Sequence, residues 1–314
     1  MKSQFVAIAL AVSSPAFAEP AVSARAEAPK PVPKISGYVQ VRETYEKGPG
    51  LTATLHRARL AADGTVKPNL AYRVQVEFAA PSGTSGTVSL RDGYLRWTGA
   101  WLSATGGQFK TPFSREYLTS SSQIETADRS TAVDSLAPKR DIGVMAEAQG
   151  PMGSVSAGVF NGEGQNVVVN RDSTVMFVGR TVLHPPGPIW LAGDLAEKGS
   201  HRRTLGAEAG AEYRGGLIRG EYIAERIDGR ARDDFGWYVL AGYRVLPWLQ
   251  AIARQEDFQR PSLGTARRIS ATTAGLNFDL PGGQTRVMLE YAGRKTGSAR
   301  TLAHNLIAQL QARF

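Results

Sequence analysis

The stretch LAYRVQVEFAA, residues 70–80, alternates strictly between apolar and polar side chains. Its apolar side chains fall at every second position from Leu70 to Phe78, and Arg73 and Glu77 lie among the polar residues between them. A period of two is typical of a β-strand that has one apolar and one polar face. The stretch therefore predicts a strand that lies between two different environments.

The same alternation recurs along the chain between clusters of Gly, Pro and Asp. It divides the chain into sixteen segments: 35–46, 53–66, 69–80, 86–99, 100–111, 141–151, 154–162, 173–184, 188–198, 203–215, 217–228, 234–246, 248–259, 268–280, 284–295 and 303–314. Connections such as Lys67-Pro68 and Gly215-Gly216 are very short, and those between them are longer and more polar. This layout predicts an all-β fold, a transmembrane antiparallel β-barrel of sixteen strands. A soluble β-sandwich is the alternative, but open sheets that wide tend to curl or split.

The N-terminus predicts export from the cytoplasm. Residues 1–18, MKSQFVAIALAVSSPAFA, combine a positive start, a short apolar run and a small-x-small site, which together indicate a signal peptide. Residues 19–34 are rich in Pro and Ala and read as a periplasmic lead-in, followed by the barrel at 35–314. No later apolar run approaches the roughly 18–20 residues that a membrane helix needs. We expect the outer membrane of a Gram-negative bacterium, and an exported chain argues against a nucleic-acid partner.

Composition narrows the chemistry. The chain of 314 residues has no Cys, which excludes disulfides, cysteine metal sites and thiol nucleophiles. Its four His residues are scattered without a metal-type spacing, so we expect no metal and no cofactor. Lys and Arg total 37 against 28 Asp and Glu, a net charge of +9 that favours anionic partners.

The chain ends on an amphipathic strand. In LAHNLIAQLQARF, residues 302–314, Leu306, Leu310 and Phe314 share one face with the Ala residues between them. A final strand of this kind that ends on an aromatic residue resembles the assembly signal of bacterial outer-membrane proteins.

Residues 112–140 break the alternation. This stretch between the fifth and sixth strands is the longest irregular part of the chain, and irregular segments of that length in compact proteins are usually functional.

Motifs around this stretch carry a family resemblance. They are Leu90-Arg91-Asp92-Gly93-Tyr94, Gly107-Gln108-Phe109-Lys110-Thr111-Pro112-Phe113, Glu116, Ser120-Ser121, Asp128-Arg129-Ser130, Pro138-Lys139-Arg140-Asp141-Ile142-Gly143-Val144 and Val159-Phe160-Asn161-Gly162. In this order and spacing they resemble the phosphate-selective porins O and P. The resemblance implies a sixteen-stranded barrel, usually a homotrimer, that passes small anions such as phosphate, with an inward-folded constriction loop at 112–140. One departure is that residues 115–118 contain no Lys, whereas the phosphate channels of the family carry a Lys shortly before the paired serines.

Basic residues on the polar faces are the candidates for anion binding. Arg carries a permanent charge and five donors, so arginines along a lumen wall can replace the water shell of a passing anion. The strand candidates are Arg42, Arg57, Arg59, Arg73, Arg180, Arg219, Arg244 and Arg254. The loop and its borders add Lys110, Arg115, Ser120, Ser121, Arg129, Lys139 and Arg140, and Asp92 joins them from the first motif.

Other interpretations remain open at this point. Lumen arginines often pair with acids, and Glu77, Glu208, Glu212, Glu221 and Glu290 are available, while other arginines can contact outer-membrane lipid and lipopolysaccharide. Acids of the loop (Glu116, Glu125, Asp128 and Asp134) allow a general porin without phosphate selectivity. An enzyme needs a nucleophile and a base within hydrogen-bond reach, which no His pattern here suggests. A purely structural tether is also disfavoured, since so wide a barrel leaves an aqueous lumen.

Overall fold

Sixteen antiparallel strands close into a barrel. A computed structural model describes residues 32–79, 88–261, 267–297 and 302–314. Each strand pairs with its sequence neighbours, and the first strand pairs with the last, which closes the sheet. The predicted sixteen-stranded barrel is therefore confirmed. The predicted signal peptide, 1–18, and most of the predicted lead-in lie outside the described residues.

The strand bounds agree with the sequence prediction to within a few residues. The strands are β1 (Lys34–Glu46), β2 (Gly50–Lys67), β3 (Leu70–Glu77), β4 (Ser89–Thr98), β5 (Leu102–Lys110), β6 (Arg140–Gly150), β7 (Gly153–Phe160), β8 (Met176–Leu183), β9 (Ile189–Lys198), β10 (Arg202–Tyr213), β11 (Gly216–Ile227), β12 (Asp234–Leu246), β13 (Leu249–Arg260), β14 (Arg267–Asp279), β15 (Thr285–Thr296) and β16 (Ala303–Arg313). Two short helices, α1 (Arg115–Leu118) and α2 (Thr131–Leu136), lie between β5 and β6. In the part of the chain that the structure describes, no helix is long and apolar enough to cross a membrane.

The alternation places apolar side chains outside and polar side chains inside. On β1, Val39 and Val41 are exposed, whereas Gln40 and Arg42, which alternate with them, are buried. The same pattern, in which apolar residues are exposed and polar residues are buried, runs through β16. There Leu310 is exposed, and its neighbours Gln309 and Gln311 are buried. An apolar outer face with a polar interior suits a barrel surrounded by lipid.

The connections differ between the two ends of the barrel. At one end of the barrel, seven connections span at most five residues each. Examples are 68–69, between β2 and β3, and 214–215, between β10 and β11. The three longest connections, 78–88, 111–139 and 161–175, all lie at the opposite end. Two connections there, 47–49 and 199–201, are short as well, so the predicted contrast between the ends is uneven.

The chain terminus completes the seam between β1 and β16. The backbone N–H of Gly37 donates to the carbonyl of Phe314 at 2.9 Å, and the N–H of Phe314 donates back at 3.1 Å. A Cβ at Gly37 would lie 2.6 Å from the Phe314 ring, so this position needs the missing side chain.

Gly107 on β5 offers a stability test of the wall. Its φ is +128°, and a Cβ would lie 2.3 Å from the carbonyl oxygen of Gly93 on β4. We expect Gly107→Ala to lower the free energy of unfolding by about 1–3 kcal/mol from backbone strain alone. Urea unfolding of the refolded barrel measures it. Gly193→Ala on β9 is the matched control, because nothing lies within 4 Å of its Cβ position; equal effects from both variants would refute the expectation.

Candidate functional site

The segment between β5 and β6 is compact and buried. Lys110 pairs with Arg140, so the segment between the two strands spans 111–139, which is the expected 112–140 shifted by one residue toward the N-terminus. Ser114 caps α1 and Ser130 caps α2, each by accepting a hydrogen bond from a backbone N–H three residues later. Side chains such as Phe113 are completely buried, which shows that the segment is packed rather than spread in solvent.

Carboxylates on the interior face of the barrel bind the backbone of this segment. Five of them, from β9 to β15, accept an N–H from it: Asp194 from Ser114 (3.1 Å), Glu208 from Arg115 (3.0 Å), Glu221 from Glu116 (2.7 Å), Glu256 from Thr131 (3.4 Å) and Glu290 from Ala127 (2.6 Å). Charge-assisted hydrogen bonds to backbone N–H groups are among the stronger ones in proteins. The wall from β9 to β15 thus holds residues 114–131 through its acids.

Each acid of the segment has a basic partner. Glu116 lies 3.4 Å from Arg254, Asp128 lies 2.6 Å from Arg42, and Asp134 lies 3.5 Å from the exposed Lys139. Glu125 forms an ion pair with Arg219. Four candidate basic residues therefore pair with the four acids of this segment.

Burial and charge shift the pKa of groups in this segment. Burial raises the pKa of Glu116, although Arg254 and the hydrogen bonds from Ser130 oppose the shift. Burial would also raise the pKa of Asp128, but the hydrogen bond from His56 and the charge of Arg42 outweigh it and lower that pKa. Asp128 is therefore held as a carboxylate.

An open cavity of about 500 Å³ lies on the side of the barrel away from the acids of β9 to β15 that bind the segment. Strands β2 to β8 form its wall, and Leu118, Ser120 and Gln123 border it from the segment. Its lining includes six basic side chains (Arg59, Arg73, Arg96, Lys110, Arg140 and Arg180) and two acidic ones (Asp92 and Glu147). This surface brings together seven of the sixteen candidates and presents more positive than negative groups.

The arginines of this lining have carboxylate partners. Arg59 pairs with Glu77 at 2.5 Å, Arg73 with Asp63 at 2.7 Å and Arg140 with Asp92 at 2.8 Å. Arg180 pairs with Asp194 and Glu208, and Arg96 lies 3.5 Å from Glu147. Glu77, Asp63, Asp194 and Glu208 are not part of the lining, so several of these charges are offset from outside the cavity surface.

Lys110 and Arg129 meet at the C-terminal end of α1. The Lys110 ammonium donates to the carbonyls of Tyr117, Leu118 and Thr119 at 2.8–3.0 Å. Arg129 donates to the Thr119 carbonyl and to Ser121, and both cations lie near the Tyr117 ring. Among the described residues, neither cation has a carboxylate oxygen within 4.0 Å. Burial lowers the pKa of Arg129, opposed by the nearby charge of Glu116.

The other candidates lie apart from the cavity. Arg57 donates to Gln40 on β1. Arg115 pairs with Glu212 at 3.4 Å and stacks on Trp190, and Arg244 pairs with Asp279 at 3.0 Å. These three do not line the 500 Å³ cavity, and neither do the other six: Arg42, Arg219 and Arg254, which bind the segment, and Ser121, Arg129 and Lys139, which belong to it.

Sequence reasoning missed part of the lining. Arg96 and Tyr94 lie on the inner face of β4 with Asp92, and their parity along the strand could have identified them. Thr105 on β5 also lines the cavity. The β3–β4 register shifts at Leu90 and Asp92, and an irregularity of this kind is not readable from the alternation.

This architecture is that of the outer-membrane porins. OmpT, an outer membrane protein of Vibrio cholerae solved in a trimer form, superposes with a TM-score of 0.67 at 14% identity, covering 91% of this chain and 100% of its own. A triply substituted Rh. blastica porin superposes with a TM-score of 0.64 at 13% identity, covering 90% and 100%. Identities this low show the fold alone.

A narrower similarity covers the part of the chain from β1 to the connection after β8. The family model of the phosphate-selective porins O and P matches residues 36–187, which confirms the resemblance read from the motifs at 90–162. No curated protein matches the chain significantly.

Proposed function

We propose that the protein is an outer-membrane porin whose water-filled lumen passes small inorganic anions in preference to cations. The observation that carries the proposal is the 500 Å³ cavity, lined by six basic and two acidic side chains. The acids of residues 111–139 are paired with Arg42, Arg219, Arg254 and Lys139, so they offer little to a cation. Rings of basic side chains are a common basis of anion selectivity.

The segment 111–139 is the constriction of this channel. Its hydrogen bonds to the inner acids of β9 to β15 support this role, because they hold it across one half of the lumen. The cavity on the remaining side is the path left for solutes.

Phosphate is the anion that the family match favours. The Lys expected before the paired serines is missing from 115–118, but the ammonium of Lys110 reaches the carbonyls directly before Ser120. This geometry supports a basic group at the equivalent place, contributed by β5. A general porin without phosphate selectivity is the second candidate, since most lining arginines are already paired.

The proposal includes a homotrimer in the outer membrane, in contact with lipid and lipopolysaccharide. The exposed apolar side chains of the barrel support it, as does the trimer form in which the Vibrio cholerae protein was solved. A channel is favoured over an enzyme, because the polar contacts of His56 and His304 are with Asp128 and Tyr291 rather than with a nucleophilic hydroxyl of Ser.

The test is the reversal potential of the purified protein in a planar bilayer under a KCl gradient, followed by phosphate titration. We expect chloride preference and block by submillimolar phosphate. Chloride preference without block would support a general anion porin, and potassium preference would refute the proposal.

The same assay tests Lys110 and Arg129. One charge about 8 Å from an ion in water contributes about 0.5 kcal/mol, or about twofold in permeability. We expect Lys110→Ala and Arg129→Ala each to lower the chloride-to-potassium permeability ratio by about that factor. Arg203→Ala is the control, because Arg203 is exposed and paired with Glu197. Equal losses in all three variants would mean that the charge acts only as a diffuse field.

A further inference from the structure

The open cavity has an apolar floor beside its basic residues. Tyr94 on β4 and Met145 on β6 line the cavity and pack against the buried cluster that includes Phe109 and Phe160. The Tyr94 ring meets Phe109 edge-on with centroids 6.0 Å apart. Leu118 borders the cavity from the segment side. An inorganic anion gains nothing from contact with this surface, whereas an apolar group is stabilised by lying on it.

Two arginines and an unpartnered hydroxyl adjoin this floor. Arg73 on β3 is paired with Tyr94 on β4. Thr105 on β5 is paired with Arg96 on β4 at one side and with Met145 on β6 at the other. The Thr105 hydroxyl is buried and has no hydrogen-bond partner among the described residues. A buried hydroxyl without a partner is costly, and an incoming oxyanion would accept its hydrogen bond.

The two arginines are the more accessible ones in the lining. The side chains of Arg73 and Arg96 are 28% and 36% exposed, against 6% for Arg140. Both hydrogen bonds of Arg96, to Ser103 and Glu147, use Nη2, which leaves Nε and Nη1 to donate to a ligand. The fork geometry of guanidinium suits carboxylates and phosphates.

We propose that this part of the cavity is a binding site for organic anions that carry an apolar group, such as aryl phosphates or aromatic carboxylates. The anionic group bonds to Arg96, Arg73 and Thr105, and the apolar group lies on Tyr94 and Met145. The inference deepens the proposed function by naming a substrate class for the same channel.

The cavity is large enough to admit an organic ligand. Its volume of about 500 Å³ falls within the range of about 300–1,000 Å³ that is usual for small-molecule sites. Inorganic phosphate fills only about 60 Å³, taking roughly twice the ~30 Å³ share of one liquid water molecule.

The experiment compares how phenyl phosphate, glycerol phosphate and inorganic phosphate block the chloride current of the full-length protein in planar bilayers. Glycerol phosphate is the polar organic control for size. We expect half-block by phenyl phosphate at a concentration about tenfold below that of the other two, as burial of roughly 60 Å² of apolar surface would give.

Matched variants locate the site. Met145→Thr is expected to reduce the advantage of phenyl phosphate about threefold or more. Thr105→Val is expected to weaken the block by all three phosphates, because each of them offers the same anionic group to the hydroxyl. Met176→Thr is the control, because Met176 packs against the same buried cluster but lines a different cavity, and it should keep the advantage.

The outcomes separate the two proposals. Equal block by all three phosphates, or an advantage that Met145→Thr and Met176→Thr change alike, overturns the organic-anion site even if the channel prefers chloride. A reversal potential without chloride preference overturns the proposed anion selectivity, whereas the ratio of block by the three compounds still decides on the site.

Discussion

Arg254→Met should lower the free energy of unfolding by about 3–5 kcal/mol, the usual cost of leaving a buried charge without its partner. Glu116 is only 2% exposed and keeps the hydrogen bonds from Ser130 but loses its guanidinium at 3.4 Å. The buried Glu256 loses the same guanidinium at 3.2 Å. Arg254 also bonds to Thr126 and to the carbonyl of Asp128, so the substitution further loosens the segment. Urea unfolding of the refolded barrel, followed by Trp fluorescence, measures the change.

Two controls separate charge from packing. The double variant Arg254→Met with Glu116→Gln removes both charges of this pair and should recover part of the loss, because Glu256, 3.2 Å from Arg254, still lacks its guanidinium. Arg244→Met breaks the more exposed pair with Asp279 and should cost less than about 1 kcal/mol. If the double variant were no more stable than Arg254→Met alone, the Glu116–Arg254 pair would not be the source of the loss.

The barrel could be predicted from sequence because each strand carries its own signal. In residues 70–80 the alternation defines a face without reference to any other part of the chain, and the turn at Lys67-Pro68 defines where the strand begins. Hydrogen bonding between sequence neighbours then follows from the short connections. Only the irregular points were missed, such as the register shift between β3 and β4.

The site was less predictable because its charges pair across the chain. Parity correctly placed Arg42 and Arg254 on inner faces, but their partners Asp128 and Glu116 come from the segment between β5 and β6. Which arginines remain at the open cavity depends on how that segment folds, and no local pattern encodes it. Arg96 is a different case, because its position in the alternation of β4, two residues after Tyr94 and four after Asp92, already indicates the inner face.

Removing the segment should have the largest effect on conduction. We expect a variant with residues 111–139 replaced by a Gly-rich link of about four residues to conduct about two- to threefold more per channel, because a sixteen-stranded barrel otherwise encloses a wide aqueous lumen. Lys110 and Arg140 are already paired, so a short link can close the hairpin without straining the strands. Single-channel recording in KCl measures the change, and retained resistance of the folded barrel to SDS shows that the variant assembles.

Removing the segment should also change the selectivity of the channel, because it frees the inner carboxylates that bind residues 111–139. Glu221 now accepts hydrogen bonds from Ser114, Glu116 and Tyr238, and Glu290 accepts one from Ala127; without the segment these carboxylates face water. The lumen then presents acids as well as arginines over a wider opening, so anion preference should weaken. Replacing 161–175, the second longest connection, with the same link is the control and should change conductance much less. A folded deletion variant with unchanged conductance would show that residues 111–139 do not limit the path, and the anchoring acids would then serve stability alone.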